Sequence, residues 1–152
     1  MILQTPFEAA LHLESNGAAI VRCEFRTRAR ASTAHPRDAV LREASSQLRA
    51  YFARRLRRFD LPLDLHGTRL QVAVWSLVAQ LETGELISYG EVARAIGSPG
   101  AHRGVAAAMS RSPYDLLIPA HRVVGADGKI KGAPPKSMRR LLLAFEGITL
   151  NG

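Results

Sequence analysis

The chain has 152 residues, which is the size of one ordinary domain or of two very small ones packed together. Hydrophobic residues make up 47% and charged residues 22%, so the chain can bury a core and wholesale disorder is excluded. It carries 21 Lys and Arg against 13 Asp and Glu, a formal net charge of +8, and only three of these bases are Lys. This arginine-rich balance is typical of nucleic-acid binding, although a solvated basic surface gives the same count.

Other broad classes are excluded or disfavoured by simple counts. No apolar run approaches the roughly 20 residues that span a bilayer, and the first residues, MILQTPFEAALHLES, lack the pattern of a secretory signal. A single cysteine, Cys23, excludes an internal disulfide, and five scattered His offer no metal-ligand spacing. We therefore expect a cytoplasmic protein with no metal, cofactor or membrane partner.

The first 65 residues are predicted to combine strands and a helix. Two short apolar bursts, AALHLES and AAIVRCEF, flank Asn16 and Gly17, which predicts a β-hairpin. After a polar stretch, residues 38–59 show apolar side chains at helical spacing, with Asp38 as the N-cap. Four arginines fall in the predicted last turns of this helix: Arg54, Arg55, Arg57 and Arg58. They either complement the helix dipole there or contact phosphates directly.

The remaining residues, 66–152, are predicted to be mostly helical. A linker over 60–68 contains Pro62 and Gly67, which stop regular structure. Four helices follow, over 69–81, 87–97, 98–113 and 136–148. Gly97 is expected to close the second of them, Ser98 to open the third and Gly147 to end the last. Residues 115–135 are β-branched in places, with a turn at 126–128.

The helices predicted at 87–97 and 98–113 are joined by a turn that contains Gly97, Pro99 and Gly100. This arrangement is typical of a helix-turn-helix. After Arg103 the second helix continues with the small residues of GVAAA. Such a face either lets the backbone approach a narrow minor groove or packs closely inside the protein.

From residue 60 to 147 the chain resembles the O6-alkylguanine-DNA alkyltransferases. The resemblance rests on the order and spacing of FDLPLDLHGTRLQVAVW (59–75), GELISYGEVARAIGSPGAHRGVAAAMSRSP (84–113), LIPAHRVVGADG (117–128) and LLLAFEG (141–147). TPFEAALHLESNGAAIVRCEF (5–25) resembles the opening of the family's N-terminal domain. The resemblance implies an α+β fold, with a small N-terminal α/β domain (1–65) packed on a mostly helical C-terminal domain (66–152) that carries a winged helix-turn-helix.

The family binds the minor groove of duplex DNA and flips the damaged nucleotide into a pocket. By resemblance, Arg103 is the arginine finger that fills the gap in the base stack, and Tyr89 is the tyrosine that pushes the target phosphate. Arg94 and Arg111 join them as candidate phosphate contacts on position alone. The residues expected to contact DNA are Tyr89, Arg94, Arg103, Gly104, Ala107, Arg111 and Ser112.

The family's nucleophile is the cysteine of a Pro-Cys-His-Arg motif, which a histidine and a glutamate activate through a water. The corresponding stretch here is PAHR (119–122), so Ala120 stands at the nucleophile position, while His121 and Glu146 match the relay. Alkyl transfer needs a thiolate, which a methyl side chain cannot supply. The relay residues are expected to keep a local hydrogen-bond network that holds the pocket. The expected lesion pocket comprises Tyr89, Met109, Pro119, Ala120, His121, Val123, Gly132 and Ala133.

Two further positions depart from the family. Ser112 stands where the family has an asparagine that braces the hinge to the active-site loop, and Gly132 or Ala133 stands where it usually has a tyrosine. Because the cysteine and this tyrosine are lost together, the pattern resembles the alkyltransferase-like proteins, whose motif has tryptophan or alanine at the cysteine position.

The leading hypothesis is a monomeric, non-enzymatic sensor of O6-alkylguanine in double-stranded DNA. The resemblance implies that it hands the lesion to nucleotide excision repair proteins. In this hypothesis Ala120 leaves room for the alkyl group. One alternative is an active alkyltransferase whose cysteine was exchanged for Ala120 by engineering. Another is a winged-helix regulator with no lesion preference, against which the retained PAHRVVG stretch argues.

Overall fold

The computed structural model describes residues 1–27, 38–128 and 137–148. The chain divides into two compact units, one formed by residues 1–66 with 113–117 and the other by 67–112 with 118–152. Five α-helices and two small sheets occur in the described part, which confirms a mixed α/β fold. None of the helices within these segments is long and apolar enough to cross a membrane.

The first unit is built on a three-stranded antiparallel sheet with the order β1-β2-β3. Its strands are β1 (Ile2–Leu3), β2 (Ala9–Ser15) and β3 (Ile20–Thr27). The turn between β2 and β3 contains Gly17 at a φ of 91°, a conformation that glycine adopts without steric cost. The Asn16 Oδ1 accepts hydrogen bonds from the backbone N–H groups of Ala18 and Ala19, both at 2.9 Å. The predicted hairpin is confirmed.

Helix α1 (Ala39–Phe52) packs against strand β2. Asp38 caps it as predicted, since its Oδ1 accepts from the N–H groups of Val40 at 2.7 Å and Leu41 at 3.3 Å. The helix buries one face of its apolar stripe: Ala44, Leu48 and Tyr51. The predicted end at residue 59 is wrong, because Arg54 adopts a left-handed φ of 59° that stops the helix.

The second unit contains four helices and a two-stranded ladder. The helices are α2 (Arg69–Val78), α3 (Tyr89–Ala95), α4 (His102–Ser110) and α5 (Met138–Phe145). Strand β4 (Ile87–Ser88) pairs in parallel with β5 (Val123–Val124), with Ile87 opposite Val123. The ladder therefore joins the residue that caps α3 to the residues that follow the PAHR stretch.

Helix α2 positions the core of this unit. Thr68 and Gln71 form a capping box at its start. Trp75, with 3% of its surface exposed, donates from its indole Nε1 to the backbone oxygen of Ala108 in α4 at 2.8 Å. A buried indole with a satisfied N–H fixes the position of α4 as well as filling space. Trp75 therefore anchors the core of this unit.

Several predicted helix bounds in this unit are too wide. Residues 87 and 88 belong to a strand, and the Ser88 hydroxyl caps α3 by accepting from the Glu91 N–H at 3.1 Å. Ser98 does not open α4, which begins at residue 102 after Ala101 and has no side-chain cap. The hydroxyl of Ser137 caps α5 by accepting from the Arg140 N–H at 3.4 Å. The hydroxyls of Ser88 and Ser137 thus set the starts of α3 and α5, whereas α4 starts without a side-chain cap.

Candidate functional site

The PAHR stretch forms a single 3-10 turn over Ala120–Arg122. The Arg122 N–H donates to the Pro119 backbone oxygen at 3.0 Å, and the Ala120 N–H donates to that of Ile118 at 2.8 Å. Pro119, His121 and Arg122 are buried, whereas Ala120 is half-buried. The turn therefore leaves the side chain of Ala120 partly accessible while its neighbours point into the protein.

A buried ionic network lies directly behind this turn. The His121 Nε2 is 2.7 Å from the Glu146 Oε2, and both side chains are at most 1% exposed. The Arg122 guanidinium forms a bidentate pair with the same carboxylate, with its Nε donating to Oε1 at 2.9 Å and its Nη2 to Oε2 at 2.8 Å. Buried charges are tolerated when they are paired and hydrogen-bonded in this way. The structure thus brings His121 and Glu146 together.

Arg122 extends the network beyond the carboxylate. Its Nη1 donates to the backbone oxygen of Leu81 at 2.8 Å and its Nη2 to the Thr83 Oγ1 at 3.2 Å. The guanidinium therefore ties the turn to the segment between α2 and β4 as well as to the end of α5. The sequence analysis did not include Arg122, Leu81 or Thr83 among the site residues. The only signal for Arg122 was its place in the PAHR motif, and no signal pointed to the other two.

Burial lowers the pKa of His121 below its ordinary value of 6.5, and the cationic Arg122 and Arg139 push in the same direction, against the opposing effect of Glu146. A neutral imidazole with an ionised carboxylate beside it places its proton on Nε2, which donates to Glu146. The other ring nitrogen, Nδ1, is then unprotonated and can accept a proton. This arrangement suits a general base at the turn.

Helix α4 has two chemically distinct faces. Val105, Ala108 and Met109 are buried. The exposed face carries Arg103 and, four and seven positions after it, Ala107 and Ser110. Arg111, which follows the helix, is also exposed. Some small residues of this helix therefore pack inside the protein, whereas Ala107 lies on the exposed face with Arg103, so approach to a minor groove stays a prediction.

Gly104 belongs to the packed side of α4. A Cβ at this position would lie 2.8 Å from the Leu70 Cδ2 in α2, closer than real Cβ atoms approach. The absence of a side chain therefore allows α2 and α4 to come together. The position is half-buried, so its predicted DNA contact stays a prediction.

The other predicted residues are placed as follows. Tyr89 begins α3 and is half-buried, and Arg94 is exposed near the end of that helix. Met109 and Val123 are buried. The Ser112 hydroxyl is buried and meets no hydrogen-bonding partner among the described residues. Gly132 and Ala133 lie outside the described residues.

Cys23 lies in the first unit, in strand β3, with 1% of its surface exposed. Its thiol donates to the backbone oxygen of Asp115 at 3.2 Å. Burial raises the pKa of this thiol well above its ordinary value, and the nearby Asp115 and Glu24 raise it further. Its environment thus opposes formation of a thiolate.

In the described segments no group of three or more His, Cys, Asp or Glu is arranged to hold a metal ion. The carboxylate of Glu146 is instead engaged by both His121 and Arg122.

Comparisons with known proteins identify relatives for both halves of the chain. A relative from Methanosarcina acetivorans, named a methylated-DNA–protein-cysteine methyltransferase, is 45% identical over 111 residues, which is 72% of this chain and 71% of that protein. The structure of the Mycobacterium tuberculosis OGT in complex with DNA aligns with a TM-score of 0.77 and 37% identity, covering 95% of this chain and 90% of that one. The structure of S. pombe Atl1 in complex with damaged DNA containing O6-carboxymethylguanine aligns with a TM-score of 0.50 and 26% identity, covering 57% of this chain and 83% of that one.

The expectation that this chain stands outside the enzymes is wrong by this comparison. Relatives that are 42–45% identical to this chain over 106–111 aligned residues are named methylated-DNA–protein-cysteine methyltransferases, which are enzymes. The expectation depended on one side chain, that of Ala120. Yet the buried network of His121, Arg122 and Glu146 behind that position is complete.

Two family models match nearly the whole chain. Residues 2–65 match the ribonuclease-like domain of 6-O-methylguanine DNA methyltransferase, and residues 69–148 match its DNA binding domain. The chain belongs to the 6-O-methylguanine DNA methyltransferase family, whose members bind DNA and repair O6-alkylguanine.

Proposed function

We propose that this chain recognises O6-alkylguanine in duplex DNA by rotating the modified nucleotide out of the helix and holding the base against the turn that contains Ala120. The observation that carries the proposal is the buried His121–Glu146–Arg122 network behind a half-buried Ala120. The network fixes the backbone of the turn, and the methyl side chain leaves space for an alkyl group on the base oxygen.

Helices α3 and α4 supply the DNA-binding side of the proposal. They form the helix-turn-helix, and the exposed Arg103 and Ala107 face the minor groove, where a small residue permits close approach. Arg103 enters the base stack in place of the flipped nucleotide, and Tyr89 displaces its phosphate. Flipping costs a few kcal/mol and is least costly at a damaged pair, which contributes selectivity. In this proposal residues 66–152 form the binding domain and residues 1–65 a separate small domain.

The test is the ratio of affinities for two duplexes that differ only in one O6-methylguanine, measured at fixed salt by fluorescence anisotropy. We expect the modified duplex to bind at least tenfold more tightly, since a ratio of ten corresponds to about 1.4 kcal/mol. Arg103→Gln should bring the ratio towards one. Arg42→Gln, which removes the same charge from an exposed position on α1, should leave it unchanged. Equal affinities for the unaltered chain would overturn the proposal.

The names of the relatives favour a second candidate function, transfer of the alkyl group to the protein. The side chain of Ala120 has no atom that accepts an alkyl group, and the Cys23 thiol is buried with a raised pKa. DNA that carries a labelled O6-methyl group separates the two candidates. Label on the unaltered protein supports transfer, whereas label that stays on the DNA despite tight binding contradicts it.

Ala120→Cys provides the matched control for this assay. It places a thiol in front of His121, whose lowered pKa leaves a neutral base available at pH 7. Protein-bound label in this variant would show that the remaining machinery is competent for transfer.

The resemblance to alkyltransferase-like proteins adds a downstream step to the proposal, hand-over of the bound lesion to nucleotide excision repair proteins. The check is whether such proteins join the complex on modified duplex and fail to join it on unmodified duplex.

A further inference from the structure

Four arginines form an exposed cluster immediately after helix α1. Arg54, Arg55, Arg57 and Arg58 are all exposed, and we call residues 53–60 the arginine loop. The sequence predicts them in the last turns of a helix, where they would complement its dipole. The helix instead ends at Phe52. Because the dipole acts only within the last turn, it gives no account of Arg57 and Arg58, which lie five and six residues beyond the end.

The arginine loop is fastened to α1 at both ends. At its start the N–H groups of Arg54 and Arg55 donate to the backbone oxygens of Tyr51 at 3.0 Å and Ala50 at 2.8 Å. At its far end the Gln47 side chain clamps Asp60, since its Nε2 donates to the Asp60 backbone oxygen at 2.9 Å and its Oε1 accepts from the Asp60 N–H at 2.8 Å.

Apolar side chains within the loop turn towards the protein. The Phe59 ring packs on the Tyr51 ring with centroids 5.3 Å apart, and Leu56 is half-buried. The two residues on either side of Leu56 are the exposed arginines. The loop is therefore a closed structure that presents its cations outward, and little conformational freedom is lost when it binds a ligand.

The chemistry of the loop matches a chain of phosphates. The eight residues 53–60 contain four arginines and one acidic residue, Asp60. Guanidinium binds phosphate bidentately and is weakly hydrated, so it exchanges water for phosphate at low cost. A helix end that complemented only its own dipole would not need four cations spaced along a loop.

We propose that the arginine loop is a second DNA-binding surface, which contacts the phosphate backbone without reading sequence. The ligand is the phosphodiester backbone of DNA rather than an acidic protein, because the chain belongs to a DNA-binding family and its formal charge is +8. The proposal rests on DNA binding by the family and not on recognition of the lesion.

The experiment measures affinity for an undamaged duplex across a range of salt concentrations, for the unaltered chain and for the triple variant R55Q/R57Q/R58Q. Each neutralised phosphate contributes about 0.9 to the slope of log affinity against log salt. We expect the slope of the variant to be shallower by about 2 to 3, and its affinity in low salt to fall on the order of tenfold or more.

The matched control is R22Q/R26Q/R42Q, which removes the same charge from exposed positions of the same unit outside the loop. This variant should keep most of the salt slope. Equal slopes for the two triple variants would overturn the proposal, because the effect would then be one of net charge alone. The affinity ratio for modified and unmodified duplex reports on the proposed function separately, and R55Q/R57Q/R58Q should leave that ratio unchanged.

A footprint on the unaltered protein keeps the test independent of how the variants fold. DNA should protect Arg55, Arg57 and Arg58 from an arginine-specific dicarbonyl reagent, with modification mapped by mass spectrometry, while Arg22 stays reactive. Full reactivity of the loop in the presence of saturating duplex would contradict the proposal. So would protection of the loop by polyglutamate but not by DNA, which would indicate an acidic protein partner.

Discussion

His121 belongs to the buried network and is also the residue that would act as a base at the turn. Its imidazole is 1% exposed and bonded to Glu146 at 2.7 Å, and burial lowers its pKa below 6.5. A base whose pKa is lowered by folding stays neutral in the native state when the unfolded chain has already taken up a proton. Acid therefore favours the unfolded state, and the stability lost lies in the range from pH 6.5 downward to the lowered pKa.

We predict that the free energy of unfolding falls between pH 7.5 and pH 5.5, and that His121→Gln flattens this fall. One titrating group contributes at most about 1.4 kcal/mol per pH unit. Urea unfolding at several pH values measures the slope. His12 also has a lowered pKa, caused first by burial and then by Arg26, so part of the slope should remain in the variant.

The unaltered chain serves as the reference for this slope. A His121→Gln slope equal to that of the unaltered chain would mean that His121 does not stay neutral in the folded protein.

The C-terminal ends of helices α1, α3 and α5 share one capping motif, in which a residue just after the helix adopts a left-handed conformation. At α3 the N–H groups of Gly97 and Ser98 donate to the backbone oxygens of Arg94 and Ala93, and α5 ends in the same way around Gly147. Both glycines have a positive φ, 78° and 83°. Helix α1 uses Arg54 at this position, where a Cβ costs about 1 kcal/mol.

We predict that Gly97→Ala and Arg54→Gly change the free energy of unfolding in opposite directions. Gly97→Ala should destabilise the protein by about 1 kcal/mol, because it places a Cβ in a left-handed conformation. Arg54→Gly should stabilise it, by less than 1 kcal/mol, because the strain removed exceeds the entropy that glycine adds to the unfolded chain. Thermal and urea unfolding measure both changes. Destabilisation by Arg54→Gly would show that the arginine side chain contributes more than the strain costs.

These helix ends show what the sequence can and cannot predict. Gly97 and Gly147 mark the ends of α3 and α5, because glycine is the usual residue in the left-handed position. Arg54 carries no such mark, so the predicted helix ran to residue 59. Strands β4 and β5 are two residues each and pair residues that are 36 positions apart, which no local pattern reveals.

At the scale of the whole molecule, the identity of the key site residues is predictable from the sequence, whereas the hydrogen bonds that join them to distant segments are not. The resemblance to the alkyltransferase family is enough to single out His121 and Glu146. The bonds from Arg122 to Leu81 and Thr83 join positions some 40 residues apart and depend on tertiary packing. Residues 113–117 are a second example, because they lie in sequence between α4 and the PAHR turn yet belong to the first unit.

Several hydrogen bonds hold this segment within the first unit. The Tyr114 hydroxyl donates to the Asp64 backbone oxygen, the Asp115 N–H donates to the Cys23 backbone oxygen at 2.8 Å, and the Phe25 N–H donates to the Asp115 carboxylate at 2.9 Å. Tyr114 is 4% exposed. Removal of its hydroxyl therefore leaves a backbone oxygen without that donor while keeping the ring in place.

We predict that Tyr114→Phe loosens the first unit and leaves the second unchanged. The lost hydrogen bond is worth about 0.5 to 1.5 kcal/mol, which corresponds to roughly two- to tenfold faster exchange of amides protected by opening of that unit. Native-state hydrogen exchange should show this acceleration in β2 and β3, with α2 and α4 unaffected. Equal acceleration in both units would instead mean that they open as one cooperative structure, because segment 113–117 couples them through the chain.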